Sequence, residues 1–191
     1  MNSNQDSHPE PPAGARDLSI PIPKAYLYML VLFVPLLPLM ILGHIAIWGA
    51  GNFFEGVNAF LNLAYLVPVL VIGVPLHEFI HGLTWAIFGG KPLQEIKFGF
   101  QWKSLAPYAH LKVPVTANAY RAGAVMPAIL QGVLPYFLGL VTGWGWFTVL
   151  GIFFIIAAGG DLVVLWILRK VKGEALVEDH PTQAGCYVYT T

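Results

Sequence analysis

The sequence predicts an all-α polytopic membrane protein. About four transmembrane helices, an interfacial helix and a small β-hairpin at the cytoplasmic membrane face are expected. Three observations predict this class. Hydrophobic residues make up 57% of the 191 positions and charged residues only 10%, against about 25% charged in soluble domains. The apolar residues gather in runs long enough to cross a hydrocarbon core of about 30 Å. Lys and Arg cluster on the segments between alternate runs, leaving the intervening turns at 49–56 and 142–145 without any.

Composition also narrows the function classes. The net charge is zero, which gives no footprint for a nucleic-acid partner. Cys186 is the single cysteine, so an intrachain disulfide and a thiolate cluster are both excluded. Any metal must be held by His and carboxylate.

Residues 1–23 are polar and rich in Pro, Ser and Asn, and read as a disordered tail. They lack the basic start and apolar core of a cleaved signal peptide, so insertion through the first span is expected. Residues 24–170 form the membrane domain, and 171–191 a loose cytoplasmic tail. The first span covers 25–48, with a kink expected at Pro35 and Pro38. His44 near its far end has no patterned partner and reads as a packing histidine. After a turn at 49–56, apolar sequence runs from 57 to 88, too long for one untilted span. It divides into an interfacial or partial helix and a spanning helix, which Gly89-Gly90-Lys91-Pro92 ends.

Residues 91–121 carry Lys91, Lys97, Lys103, Lys112 and Arg121. The alternation in Glu95-Ile96-Lys97-Phe98-Gly99-Phe100-Gln101-Trp102 predicts a half-buried strand, hence a hairpin at the membrane face. Its aromatics suit an interface, and Arg121 reads as a snorkelling anchor. Apolar runs at 122–141 and 146–168, joined by Thr142-Gly143-Trp144-Gly145, complete four crossings. Both termini and the large loop then lie in the cytoplasm, satisfying the positive-inside rule.

The chemistry concentrates in His77-Glu78-Phe79-Ile80-His81. On a helix, His77 and His81 project from one face, one turn apart, and can share a Zn²⁺. Glu78 can then reach a water beside the metal. Intramembrane ionisable groups are costly and need partners. Asp161 is the other acid within a span. The motif lies roughly 13 Å, and Asp161 roughly 12 Å, from the cytoplasmic helix ends at about 1.5 Å per residue. His77, His81 and Asp161 would give three ligands to one zinc and leave the fourth position open, as a catalytic site requires. Gly159 and Gly160 would let the last helix approach closely. His110 stands as an alternative third ligand, as a substrate or oxyanion contact, or as a histidine capping a turn.

These elements resemble the site-2 protease class of intramembrane zinc metalloproteases. Within that class the chain looks most like a bacterial family of membrane zincin peptidases. The stretches carrying the resemblance are His77 to His81, Pro107-Tyr108-Ala109-His110-Leu111-Lys112, Tyr120-Arg121-Ala122-Gly123-Ala124-Val125-Met126-Pro127 and Gly159-Gly160-Asp161. The resemblance implies one Zn²⁺, with Glu78 as general base and Asp161 as the third ligand from a later helix. Two features depart from the class. Leu162 follows Asp161 where Gly is usual, and Gln131 follows Met126-Pro127 where an Asn-bearing helix is common. A membrane-protein or peptide substrate in the lipid bilayer is implied. A metal-binding scaffold without catalysis and a small metal or ion transporter are the alternatives. An intact Glu78 favours the enzyme, and the lack of inverted repeats weighs against the transporter.

Overall fold

The structure, a computed structural model, describes residues 11–101 and 106–189. Disorder expected over residues 1–10, and Trp102 of the alternating stretch, lie outside the described residues. The chain is mostly helical, with two small sheets.

Helix α1 spans Ile22–Leu61. Its backbone stays helical through Pro35 and Pro38 and breaks instead at Gly49, where φ is 85° and ψ 158°. A residue with a Cβ pays a steric cost there, so glycine sets the elbow. The turn expected at 49–56 is therefore a single-residue break followed by more helix. The separate helical piece is the arm from that elbow to Leu61, and not the stretch beginning at 57. Asn62 then caps α2, Leu63–Pro68, its side chain accepting the Ala64 amide at 2.9 Å.

A π-helical turn, Val69–Gly73, joins α2 to α3, Val74–Gly89. Pro75 lacks an amide to donate to the preceding turn, and a widened turn just before it re-registers the helix. The same device recurs in the next span. There α4, Ala117–Pro127, passes through the π-helical Ala128–Val133 into α5, Leu134–Thr142, which carries Pro135 in its first turn. Gln131 in the second π turn donates to the Gly73 carbonyl in the first at 2.8 Å, tying the two irregular turns together.

The last apolar run is broken. Helices α6, Gly145–Ala157, and α7, Gly159–Leu168, meet at 51°. Three helices are long and apolar enough to cross a membrane, or four if this bent pair is one span. Large apolar side chains such as Leu39, Leu63 and Val141 lie 70–78% exposed along them. Such surface suits lipid rather than water, so the chain is a membrane protein.

Strands β2, Ile96–Gln101, and β3, Ala106–Leu111, form the expected antiparallel hairpin. A second, four-stranded sheet was not expected. It comprises β1, Ala15–Asp17; β4, Val115–Thr116; β5, Leu176–Asp179; and β6, Cys186–Tyr189, in the order β1-β6-β5-β4. Order thus extends into both segments read as tails. Polarity misled there. These strands are short, and Val177, Cys186 and Val188 turn inward among Trp85, Leu111, Val115, Tyr120 and Leu168. Each fully buried Leu or Val there contributes about 1.5–3 kcal/mol. This cluster binds the end of α3, the hairpin, the start of α4 and the end of α7 into one core. Arg121 ties two of these elements together. Its guanidinium donates to the Leu168 and Val171 carbonyls at 2.6 and 2.5 Å, capping α7 rather than anchoring to lipid.

Candidate metal centre

Helix α3 presents His77 and His81 on one face, both buried, with ring centroids 4.9 Å apart. It ends at Gly90, left-handed at φ 59°, whose amide bonds the Ala86 carbonyl. Asp161 arrives from α7. The break at Ala158 starts a new helix, so Asp161 sits in a first turn, where the helix dipole favours a carboxylate. An acid in the middle of an unbroken span would lack that support. Gly159 lies flat against Met29 and Phe33 of α1, whereas Gly160 opens onto the cavity.

The Nε2 atoms of His77 and His81 lie 3.3 and 3.4 Å from the same Asp161 Oδ2. One candidate ligand atom from each of the three residues lies within 4.8 Å of the others. Charge-assisted hydrogen bonds are shorter, about 2.7–2.9 Å. Two ligand atoms each about 2.0–2.1 Å from a tetrahedral ion stand about 3.3 Å apart. The spacing therefore fits three ligands around one zinc better than two tight ion pairs. The donor set, two imidazoles and a carboxylate, is one that zinc accepts while keeping a position open.

The surroundings support a ligand role unevenly. His81 Nδ1 bonds the Gly123 carbonyl at 2.9 Å, which directs Nε2 at the cluster. His77 stacks on Phe154, and its Nδ1 is buried without a hydrogen-bond partner among the described residues. Gly123 matters for a second reason. A Cβ there would lie 1.9 Å from Trp85 Nε1, so only glycine lets α4 close on α3 at this depth. Trp85 lies between the rings of His81 and Tyr120, and its Nε1 donates to the Tyr120 carbonyl at 3.2 Å.

A cavity of about 390 Å³ adjoins the cluster. Glu78, Pro107, Tyr108 and Ala109 line it beside the three ligand candidates. The Ala109 amide reaches the Glu78 carboxylate, placing β3 against the acid. His110 does not join the cluster. It faces the neighbouring cleft, with Nδ1 3.4 Å from Asp179 Oδ2. Of the two alternatives for the third ligand, the structure therefore brings Asp161 to the histidines and His110 to Asp179. That carboxylate holds the His110 imidazolium above its ordinary value, against the opposing effect of burial. Cys186 is inert for a physical reason, since burial pushes its thiol up to about 12.

Sequence reasoning missed Trp85 and Asp179, and it quoted Tyr120 and Gly123 in a stretch carrying the resemblance without giving either a role. Trp85 had a usable signal: it lies four residues after His81, on the same helical face. Asp179 had none, because its tail read as loose.

The model of the family described as "Putative zincin peptidase" matches residues 70–176, from the turn before α3 to the start of β5. A Pyrococcus woesei protein described as "Uncharacterized 24.7 kDa protein in gap 5'region" is 32% identical over 122 residues. That match covers 63% of this chain and 53% of the relative, so the chain spans about half of that protein's length. No solved structure matches.

Proposed function

The chain belongs to the zincin peptidase family matched over residues 70–176, and from that premise we propose a membrane-embedded zinc endopeptidase related to the site-2 proteases. The observation that carries the reading is the convergence of His77, His81 and Asp161 beside a cavity walled by Glu78. His77, His81 and Asp161 would hold the metal. A zinc ion there supplies Lewis acidity, lowering the pKa of a water and polarising a scissile carbonyl. Glu78, one residue from His77 and facing the cavity, takes the proton from the attacking water and delivers it to the leaving amine.

Strand β3 pairs with β2 on one side only, among the described residues. Its outer edge borders the cavity through Pro107 and Ala109. An extended substrate segment donates its amides to the outward carbonyls of that edge and lies along the cavity, since Pro107 has no amide and the Ala109 amide reaches Glu78. The substrate is a membrane helix or juxtamembrane segment unwound locally to expose its backbone. Both termini and the hairpin face the cytoplasm on the charge pattern, with residues 24–170 as the metalloprotease-like domain. His110 contributes a substrate contact from the adjoining cleft.

The test is cleavage of a membrane-anchored reporter by zinc-loaded protein in liposomes, with Glu78→Gln as the comparison. Glu78→Gln should retain one zinc per chain and lose cleavage by about 10²–10⁴-fold. Equal cleavage by Glu78→Gln would remove its role as base. Full zinc with no cleavage by wild type on a panel of membrane reporters would favour the scaffold.

A further inference from the structure

The cavity beside the ligands is walled in part by β3, so its shape depends on how that strand is held. Two outward amides mark the β3 edge. One is Ala109, which reaches Glu78. The other is Leu111, two residues on and so along the same edge, which donates to Asp179 Oδ2 at 2.9 Å. Asp179 also accepts the Tyr120 hydroxyl and faces His110 Nδ1 at 3.4 Å. Its partners belong to different walls: Leu111 and His110 to β3, and Tyr120 to α4. Asp179 itself comes from β5, in the sheet made by the two ends of the chain.

This carboxylate is partly buried, with its side chain 13% exposed, and it lines the same cavity as the three ligand candidates. A continuous column leads to it from the metal centre: His81 on Trp85, Trp85 on Tyr120, Tyr120 to Asp179. Asp179 lies beyond residue 176, where the family match ends.

We propose that Asp179 is a positioning residue, through which the terminal sheet fixes the β3 edge beside Glu78. Its consequence for substrate rests on the peptidase reading. Its consequence for the position of β3 does not. With the Leu111 amide on Asp179, the Ala109 amide on Glu78 and no amide at Pro107, the part of β3 before Leu111 receives an added strand through its carbonyls alone, beside Glu78. Without the carboxylate, three donors lose their acceptor, and the β3 edge keeps its Ala109 contact to Glu78 but loses this hydrogen-bonded tie to the terminal sheet.

The experiment uses full-length protein in nanodiscs with spin labels at Lys97→Cys on β2 and Ile87→Cys on α3, both exposed positions. Cys186 is buried, and a sample without introduced cysteines checks that it stays unlabelled. The distance distribution should be narrow with Asp179 present and should broaden in Asp179→Ala, with Asp179→Asn intermediate. On a membrane reporter, Asp179→Asn should raise KM about 10-fold and leave kcat within about 3-fold, since uniform binding is lost and not the chemistry. Zinc content should stay at one per chain. An unchanged distribution in Asp179→Ala overturns the proposal. So does a broadened distribution with unaltered KM, or loss of zinc from both variants, which would mark general damage. If wild type cleaves nothing, the peptidase reading fails, and the spin-label distances still decide the positioning role.

Discussion

Two buried histidine sites sit among the apolar helices, and they are built in opposite ways. His44 is wholly buried and both ring nitrogens are satisfied. Nε2 meets Asn52 Oδ1 and Nδ1 meets the Thr148 hydroxyl, each at 2.8 Å. Asn52 continues to the Gly143 carbonyl, so the network staples the α1 elbow to the α5–α6 turn. Among the described residues, no carboxylate enters that network. At the other site, His77 and His81 converge on one Asp161 oxygen at distances too long for tight ion pairs, beside a cavity. His77 Nδ1 there has no partner among the described residues. Neutral, saturated polar networks specify a fold. Carboxylate, open volume and incomplete satisfaction are what a site leaves for a ligand. Burial of a histidine inside a membrane run does not separate the two, whereas its partners do.

The largest expected effect breaks this comparison cleanly if it is wrong. His77→Ala or His81→Ala should lower bound zinc from one equivalent to below about 0.1 per chain, measured by elemental analysis of detergent-purified protein. His44→Ala should keep its zinc and instead lose about 2–4 kcal/mol of stability, through the cavity and the orphaned Asn52 and Thr148 groups. Zinc loss from His44→Ala as complete as from His77→Ala would mean that the two sites are not distinct in kind.

A smaller effect sharpens how the metal site is oriented. Gly123→Ala would press a methyl onto Trp85 and displace the carbonyl that His81 Nδ1 uses. Zinc affinity should fall about 10–100-fold, the usual cost of losing an outer-shell partner. Competition with a fluorescent zinc chelator measures it. An unchanged affinity would show that His81 is oriented by packing between His77 and Trp85 alone.

The same contrast explains how much the sequence disclosed. His77, Glu78 and His81 were legible because helical spacing converts directly into a shared face. Asp161 was legible through depth, since two helices of known rise put their polar groups at one level. The hairpin was legible from alternation. The break at Ala158 was not, because the Gly159-Gly160 pair beside it reads equally as a device for close helix approach. Nor was the terminal sheet. Its strands are two to four residues long, too short for a periodicity to show. Their pairing joins residues near opposite ends of the chain, a contact that local pattern cannot carry. Asp179 and its bond to Tyr120 were therefore invisible, although they stand beside the candidate ligands.

The smallest expected effect concerns the edge of that site, where protonation can be followed without touching the metal ligands. Asp179 accounts for the largest part of the rise in the His110 pKa, with Glu178 adding to it and with burial and Lys97 opposing it. The folded value is thus above the ordinary 6.5. Below that ordinary value His110 is protonated in both folded and unfolded chains, and the pairing contributes in full. As pH rises, the unfolded chain loses its proton first, and the contribution disappears as pH passes through the folded value. His110 is one-third exposed, so water screens the pair and the contribution is about 1 kcal/mol or less. His110→Gln should therefore lower the thermal midpoint near pH 6, and the gap to wild type should close as the medium becomes alkaline. Scans of both proteins from pH 6 to 9 in one detergent measure the gap. A gap that is constant across the range would assign His110 a packing role alone and would place it with His44 rather than at the margin of the metal site.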